Sequence, residues 1–209
     1  MPGRVVSDPS LLGLTAGQPA DDTYDGTGAL RVAAVGAASE QHIGQVGGTT
    51  AIKTGVIIRP NDTVAYAVGD LIGTSTTAGT GNVMVLPGIP RIAGGTGRII
   101  RLRVATDQAA FAGTLRVHVF KTLVAPTVGD NGALAAAVAN YVNYYGMADV
   151  TLAQGILSNG SKGFMAFSPP IAFDAAVGVM DVYAPLETRT AFTPNANQRF
   201  SVTVEADVD

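Results

Sequence analysis

Beyond Thr49 the chain repeats one pattern, a short run of apolar and β-branched residues followed by a cluster of turn formers. The runs are Thr50 to Ile58, Val64 to Gly73, Asn82 to Leu86, Arg98 to Thr106, Thr114 to Lys121, Val150 to Leu157, Lys162 to Phe167, Val177 to Tyr183 and Arg199 to Glu205. Runs of this length and composition predict about nine strands. Arg59-Pro60-Asn61-Asp62, Leu86-Pro87-Gly88 and Gly94-Gly95-Thr96-Gly97 lie between them and tolerate the backbone conformations that turns require. The spacing suits an antiparallel β-sandwich.

Two runs give the clearest assignment of faces. Ile100, Leu102 and Val104 share one side of the first, and Leu115, Val117 and Val119 share one side of the second. If the two form a hairpin across Asp107 to Ala112, Leu102 lies opposite Val117, Arg103 opposite Arg116 and Arg101 opposite His118. The outer face then holds three arginines and a histidine. Like charges placed directly opposite are unfavourable unless an anion separates them, so this face predicts an acidic partner surface.

Two segments break the strand pattern. A short helix in a loop is predicted at Asn131 to Val142, where Asp130 or Asn131 can cap Ala133 to Ala139 and Gly146 follows the end. Residues 1–48 scatter Gly, Ala, Asp and Pro among short apolar pieces such as Leu11-Leu12 and Leu30-Arg31-Val32. Such a segment buries little of its own surface, so it reads as an extended N-terminal arm that gains order on a neighbour, or as a floppy leader. The predicted division is an arm over 1–48 and a β-sandwich domain over 49–209.

Composition sharpens this reading. Charged residues make up 14% of the 209, against about 25% in ordinary soluble domains, which points to assembly. The 26 glycines and 11 prolines favour turns and strands over helices. A net charge of -3 and a pI near 5.3 give no global attraction to nucleic acid or an anionic membrane, so neither is expected as a partner. With no cysteine, disulfides and thiolate metal sites are excluded. The opening Met-Pro-Gly-Arg-Val-Val-Ser-Asp-Pro lacks the apolar stretch of a secretory signal, and the run Ala133 to Ala139 is too short to cross a bilayer.

The candidate chemistry is thin. His42 and His118 lack spaced metal-ligand neighbours and read as a turn residue and a solvent- or partner-facing strand residue. Asp21, Asp22 and Asp25 crowd together without the ligand spacing of a calcium loop and read as a solvated loop. Gly94 to Gly97 lacks the lysine and following helix of a phosphate loop, and Ser161 and Lys162, adjacent on a strand, point to opposite faces. No catalytic residue, metal or cofactor is therefore predicted. Tyr141, Tyr144 and Tyr145 offer either core packing or an interface or sugar-stacking patch.

Arg59 to Gly73, Gly94 to Val104 and Leu115 to Phe120 resemble a family of tailed-bacteriophage structural proteins, a likeness continued by Asp130-Asn-Gly-Ala-Leu and the tyrosines. It spans roughly residues 49–150 and rests on turns and strands. The resemblance implies a jelly-roll virion component made in the host bacterial cytoplasm. It further implies a homotrimer bound to the major capsid protein on the outer head surface as a decoration, or cement, protein. It carries over no catalytic residue, so a non-enzyme is expected. The alternative is a tail, neck or baseplate component, possibly binding a glycan. Partner contact is expected through Leu11, Leu12 and Leu30 of the arm, through Arg101, Arg103, Arg116 and His118, or through Tyr141, Tyr144 and Tyr145.

Overall fold

The computed structural model describes residues 49–109, 111–154 and 160–208, with two short paired strands, β1 (Thr23–Tyr24) and β2 (Leu30–Arg31). The chain divides into two compact units, Met1–Val46 and Gly47–Asp209. Leu11 and Leu12 lie outside the described residues, as does most of the expected arm, and Leu30 falls in β2.

The second unit is built from β3 (Thr49–Ile58), β4 (Leu71–Ile72), β5 (Met84–Leu86), β6 (Thr96–Thr106) and β7 (Gly113–Phe120). It continues with β8 (Tyr144–Gln154), β9 (Ser161–Asp174), β10 (Val182–Ala184), β11 (Leu186–Thr188) and β12 (Arg199–Val208). Every pairing is antiparallel. One sheet runs β3-β12-β6-β9; the other runs β8-β7, then β10 with β11, then β5 with β4. The two meet where Ala153 and Gln154 of β8 pair Lys162 and Ser161 of β9.

Four short strands occupy only two positions. Tyr183 pairs Phe120 and Leu186 pairs Val117 in one unbroken register, so β10 and β11 are a single strand interrupted at Pro185. Pro185 accepts the His118 N–H at 3.0 Å but has no N–H to return. β4 and β5 likewise lie along this strand, parted by an excursion over 73–83. Buried Asn82 holds that excursion together, accepting the Thr74 and Ser75 N–H groups at 2.9 and 2.8 Å and donating to the Thr77 carbonyl at 2.7 Å. Lettered B to I along the chain, the sheets read B-I-D-G and C-H-E-F. This is the strand order of a jelly roll, so the predicted all-β, antiparallel jelly-roll sandwich is the fold observed.

The core lies between the sheets. Ile57, Ile99, Leu102, Val104, Val202 and Val204 from one face meet Leu115, Val117, Val119, Val150, Leu152 and Leu186 from the other, all buried. Burial of this apolar surface is the main force holding the sheets together. At one end Phe192 closes the sandwich, stacked on Tyr66 at 4.9 Å and edge-on to Phe111 at 4.7 Å.

Four expectations are corrected. The segments expected as a hairpin, now β6 and β7, lie in different sheets: Leu102 pairs Val204 and Met165, whereas Val117 pairs Ala148 and Leu186. Alternation fixes which face a strand buries, not which strand lies beside it, so both buried faces share one core from opposite sides. Ile99, not Ile100, joins Leu102 in the core, because Ile100 is an extra residue opposite the Glu205-Ala206 step of β12. The helix expected over Asn131 to Val142 is replaced by a 3-10 turn over Val138–Asn143. The residues before it pair with the chain around β4: the Asn131 N–H reaches the Leu71 carbonyl at 2.9 Å, and the Leu134 N–H reaches Gly69 at 2.8 Å. Finally, the expected strand Val64 to Gly73 shrinks to Leu71–Ile72, the rest of its backbone making only isolated bridges, Tyr66 to Phe192 and Asp70 to Ala133.

Candidate functional site

Three groups of polar side chains organise the described domain, one inside it and one on each outer sheet face. The buried group joins two stretches that the sequence reading singled out. Arg59 follows the end of β3, and its guanidinium meets Asp130 at 2.9 Å and Asp62 at 3.1 Å. It lies 4.7 Å from the Tyr66 ring centroid. Asp130 also accepts from the Tyr66 hydroxyl and, at 2.7 Å, from the Gly73 N–H. Burial and the neighbouring carboxylate drive the Tyr66 phenol well above its ordinary range. The Arg59-Pro-Asn-Asp and Asp130-Asn-Gly motifs therefore form a buried clamp across three connections, inaccessible to a ligand.

On the outer face of C-H-E-F, Glu187, Arg116 and Asp149 lie side by side in register across β11, β7 and β8. Arg116 grips Asp149 through two bonds of 2.6 and 2.8 Å. That hydrogen bonding holds the Asp149 carboxyl below the usual carboxylate range. Glu187 accepts from Arg189 at 3.0 Å and lies 2.7 Å from His118 Nε2. A carboxylate can only accept, so Nε2 carries a proton, and in the neutral ring Nδ1 accepts from the Tyr144 hydroxyl at 3.2 Å. Burial pushes the imidazole below its ordinary value, with Glu187 opposing the shift.

On the outer face of B-I-D-G, Arg101 pairs Glu205 at 3.2 Å. Arg103 sits between Thr203 and Phe164 in register, and Lys162 sits beside Ala105 and Ala153. Both cations are exposed, and Phe164 is 74% exposed in the middle of a strand. A hollow of about 470 Å³ opens among Arg103, Ala105, Gln154, Lys162, Phe164 and Thr203.

The expected arginine face is thus divided. Arg101 and Arg103 lie on one outer face and Arg116 with His118 on the other, and three of the four already have acidic partners within the chain. The tyrosines diverge too. Tyr141 is 63% exposed beside exposed Val138 and Val142; Tyr144 packs against His118 and Phe120; Tyr145 bonds Asp174, whose carboxyl Lys121 and Tyr145 hold low. Sequence reasoning passed over Glu187, Asp149 and Phe164, and weighed Lys162 only as a base beside Ser161. For Phe164 a signal existed: it shares strand parity with Lys162, the outward side. Among the described residues, no three His, Asp or Glu side chains converge as metal ligands.

These features define a jelly-roll domain whose ionisable groups mostly pair with one another. No protein-family profile matches the chain, and no curated protein matches it. Among solved structures, the chain is similar to one from a particle of Israeli acute paralysis virus, at 13% identity and a TM-score of 0.29. That match covers 99% of this chain and 84% of the other. Likeness at that level carries no argument about function.

Proposed function

We propose that this protein is a non-catalytic structural component of a tailed-phage virion, a decoration protein bound to the major capsid protein on the outer head surface. The carrying observation is the B-I-D-G and C-H-E-F strand order, a framework common to viral capsid and lectin domains. It stands with the resemblance of Arg59 to Gly73 and Gly94 to Val104 to phage structural proteins. Fixed ion pairs engage Arg59, Arg101, Arg116, Lys121 and Arg189, so these charges serve as scaffold. A homotrimer would multiply weak contacts with a shell through avidity.

A tail, neck or baseplate role with glycan binding is favoured by one feature, the exposed Tyr141 beside Val138 and Val142 on the 3-10 turn. Cryo-EM of a particle carrying the protein separates the readings. Threefold-related density across the outer capsid lattice is expected; density confined to neck or tail overturns decoration in favour of the second reading.

A further inference from the structure

We infer that the outer face of the B-I-D-G sheet holds a docking site for an extended acidic polypeptide segment of a partner protein, seated between Arg103 and Lys162 against the Phe164 ring. The site follows from register. Arg103 is opposite Phe164 on β9 and Thr203 on β12; two residues along, Ala105 is opposite Lys162 and Ser201. Strand alternation sends all six side chains to one side of the sheet.

Charge and shape select the occupant. Neither Arg103 nor Lys162 has an acidic partner among the described residues, and Glu205, on the same face of β12 as Thr203, is already engaged by Arg101 at 3.2 Å. Ala105 and Ala153, the register neighbours of Lys162, line the hollow with small side chains that leave its floor open. The exposed Phe164 ring supplies an apolar wall to the 470 Å³ hollow. The rows holding the two cations are two residues apart, about 6.6–6.8 Å along the strands. That is also the separation of side chains i and i+2 on an extended peptide, so alternate carboxylates of such a segment reach both cations while an apolar residue two positions further along, on the same side of the segment, covers Phe164. Charge-assisted bonds to both cations favour a carboxylate-bearing segment over a neutral one. The inference holds wherever in a particle the protein sits, and loss of particle attachment would leave it untouched.

The test is a titration of the ¹⁵N-labelled full chain with a short capped peptide carrying a leucine and two aspartates at successive alternate positions, with serines between them. Amide shifts are expected at Gly163, Phe164 and Thr203, with affinity falling as salt rises. A peptide with asparagine in place of each aspartate should bind at least about tenfold more weakly, as should the double variant Arg103→Gln/Lys162→Gln and, separately, Phe164→Ala. Arg91→Gln, at an exposed position outside the hollow, should bind as the parent does. No shifts, equal binding of the asparagine peptide, or unchanged binding by the double variant would overturn the site. So would sedimentation and cross-linking that place a second copy of the chain on this face.

Discussion

Replacing Asp130 with alanine tests the buried clamp most directly. The side chains of Arg59 and Asp130 are 0% and 1% exposed, and their charged atoms are 2.9 Å apart. Removing the carboxylate leaves the guanidinium with one carboxylate, that of Asp62, itself 29% exposed, beside the neutral Asp62 and Asn195 carbonyls and the Tyr66 hydroxyl, and leaves the Tyr66 hydroxyl and the Gly73 N–H without their acceptor. Breaking a buried pair in this way costs about 3–5 kcal/mol. For a unit the size of Gly47–Asp209, that lowers the melting temperature by about 6–20 °C, at ~2–4 °C per kcal/mol. Urea unfolding of parent and variant, at equal m-values, measures the loss. Glu205→Gln serves as contrast, because it cuts a pair whose arginine is 48% exposed and should cost about 0.2–1 kcal/mol. Arg59→Met/Asp130→Ala should lose less than Asp130→Ala alone, since no stranded charge remains. If Asp130→Ala cost no more than Glu205→Gln, the clamp would not be a fixed, desolvated ion pair.

Three further outcomes follow from the same structure. Leu102→Ala, at a site with 0% exposure, should destabilise by about 2–5 kcal/mol in urea unfolding. Burial disfavours the charged imidazole of His118, so the unfolded chain takes the proton first as pH falls past 6.5, and stability declines on acidification until the folded ring also titrates. His118→Gln should flatten that slope above the carboxylate range, where Asp149 and Asp174 begin to contribute; an unchanged slope would exclude His118 as its source. Deleting residues 1–40 should leave the β-domain folded by circular dichroism but abolish particle attachment, and unfolding would mean that the segment belongs to the core.

The parts of the fold legible in sequence are those set by local chemistry. Leu115, Val117 and Val119 are buried as their alternation requires, and Gly94, at φ 74°, makes the turn that the glycine cluster announces. Neighbour choice is different, because a strand's pattern reads the same whichever strand lies beside it. Arg101, Arg103, Arg116 and His118 were recognised as outward-facing, but whether two outward faces coincide depends on pairings between residues far apart in the chain. Bulges escape for a related reason: Ile100 differs from Ile99 through what β12 and β9 do on either side of it. The strand β9 outruns its expected end at Phe167 because β6 steps from Ile99 to Arg101 while β9 passes from Ile171 to Ala166, leaving Pro169 and Pro170 outside the ladder. At the expected helix start, one of the two proposed caps, Asp130, is held by Arg59 from another loop, and the Asn131 and Leu134 N–H groups are taken by the Leu71 and Gly69 carbonyls.

The low charge content makes the positions of the remaining charges informative. A one-residue slip in an antiparallel pair turns every side chain to the wrong face, so a sheet with a buried side needs its register fixed. Glu187, Arg116 and Asp149 join three adjacent strands of C-H-E-F, and Arg101 with Glu205 joins D to I in the other sheet. Each group mates across strands only in the observed register, so these charges reinforce what the apolar core already specifies. Arg103 and Lys162 do nothing of the kind. Their cross-strand neighbours are Thr203, Phe164, Ala105 and Ala153, none of them acidic, and neutral residues at both positions would leave the register as it is. Two cations that the fold does not need, kept beside an exposed aromatic ring in a chain sparing of charge, are better accounted for by a partner's carboxylates than by the stability of the domain.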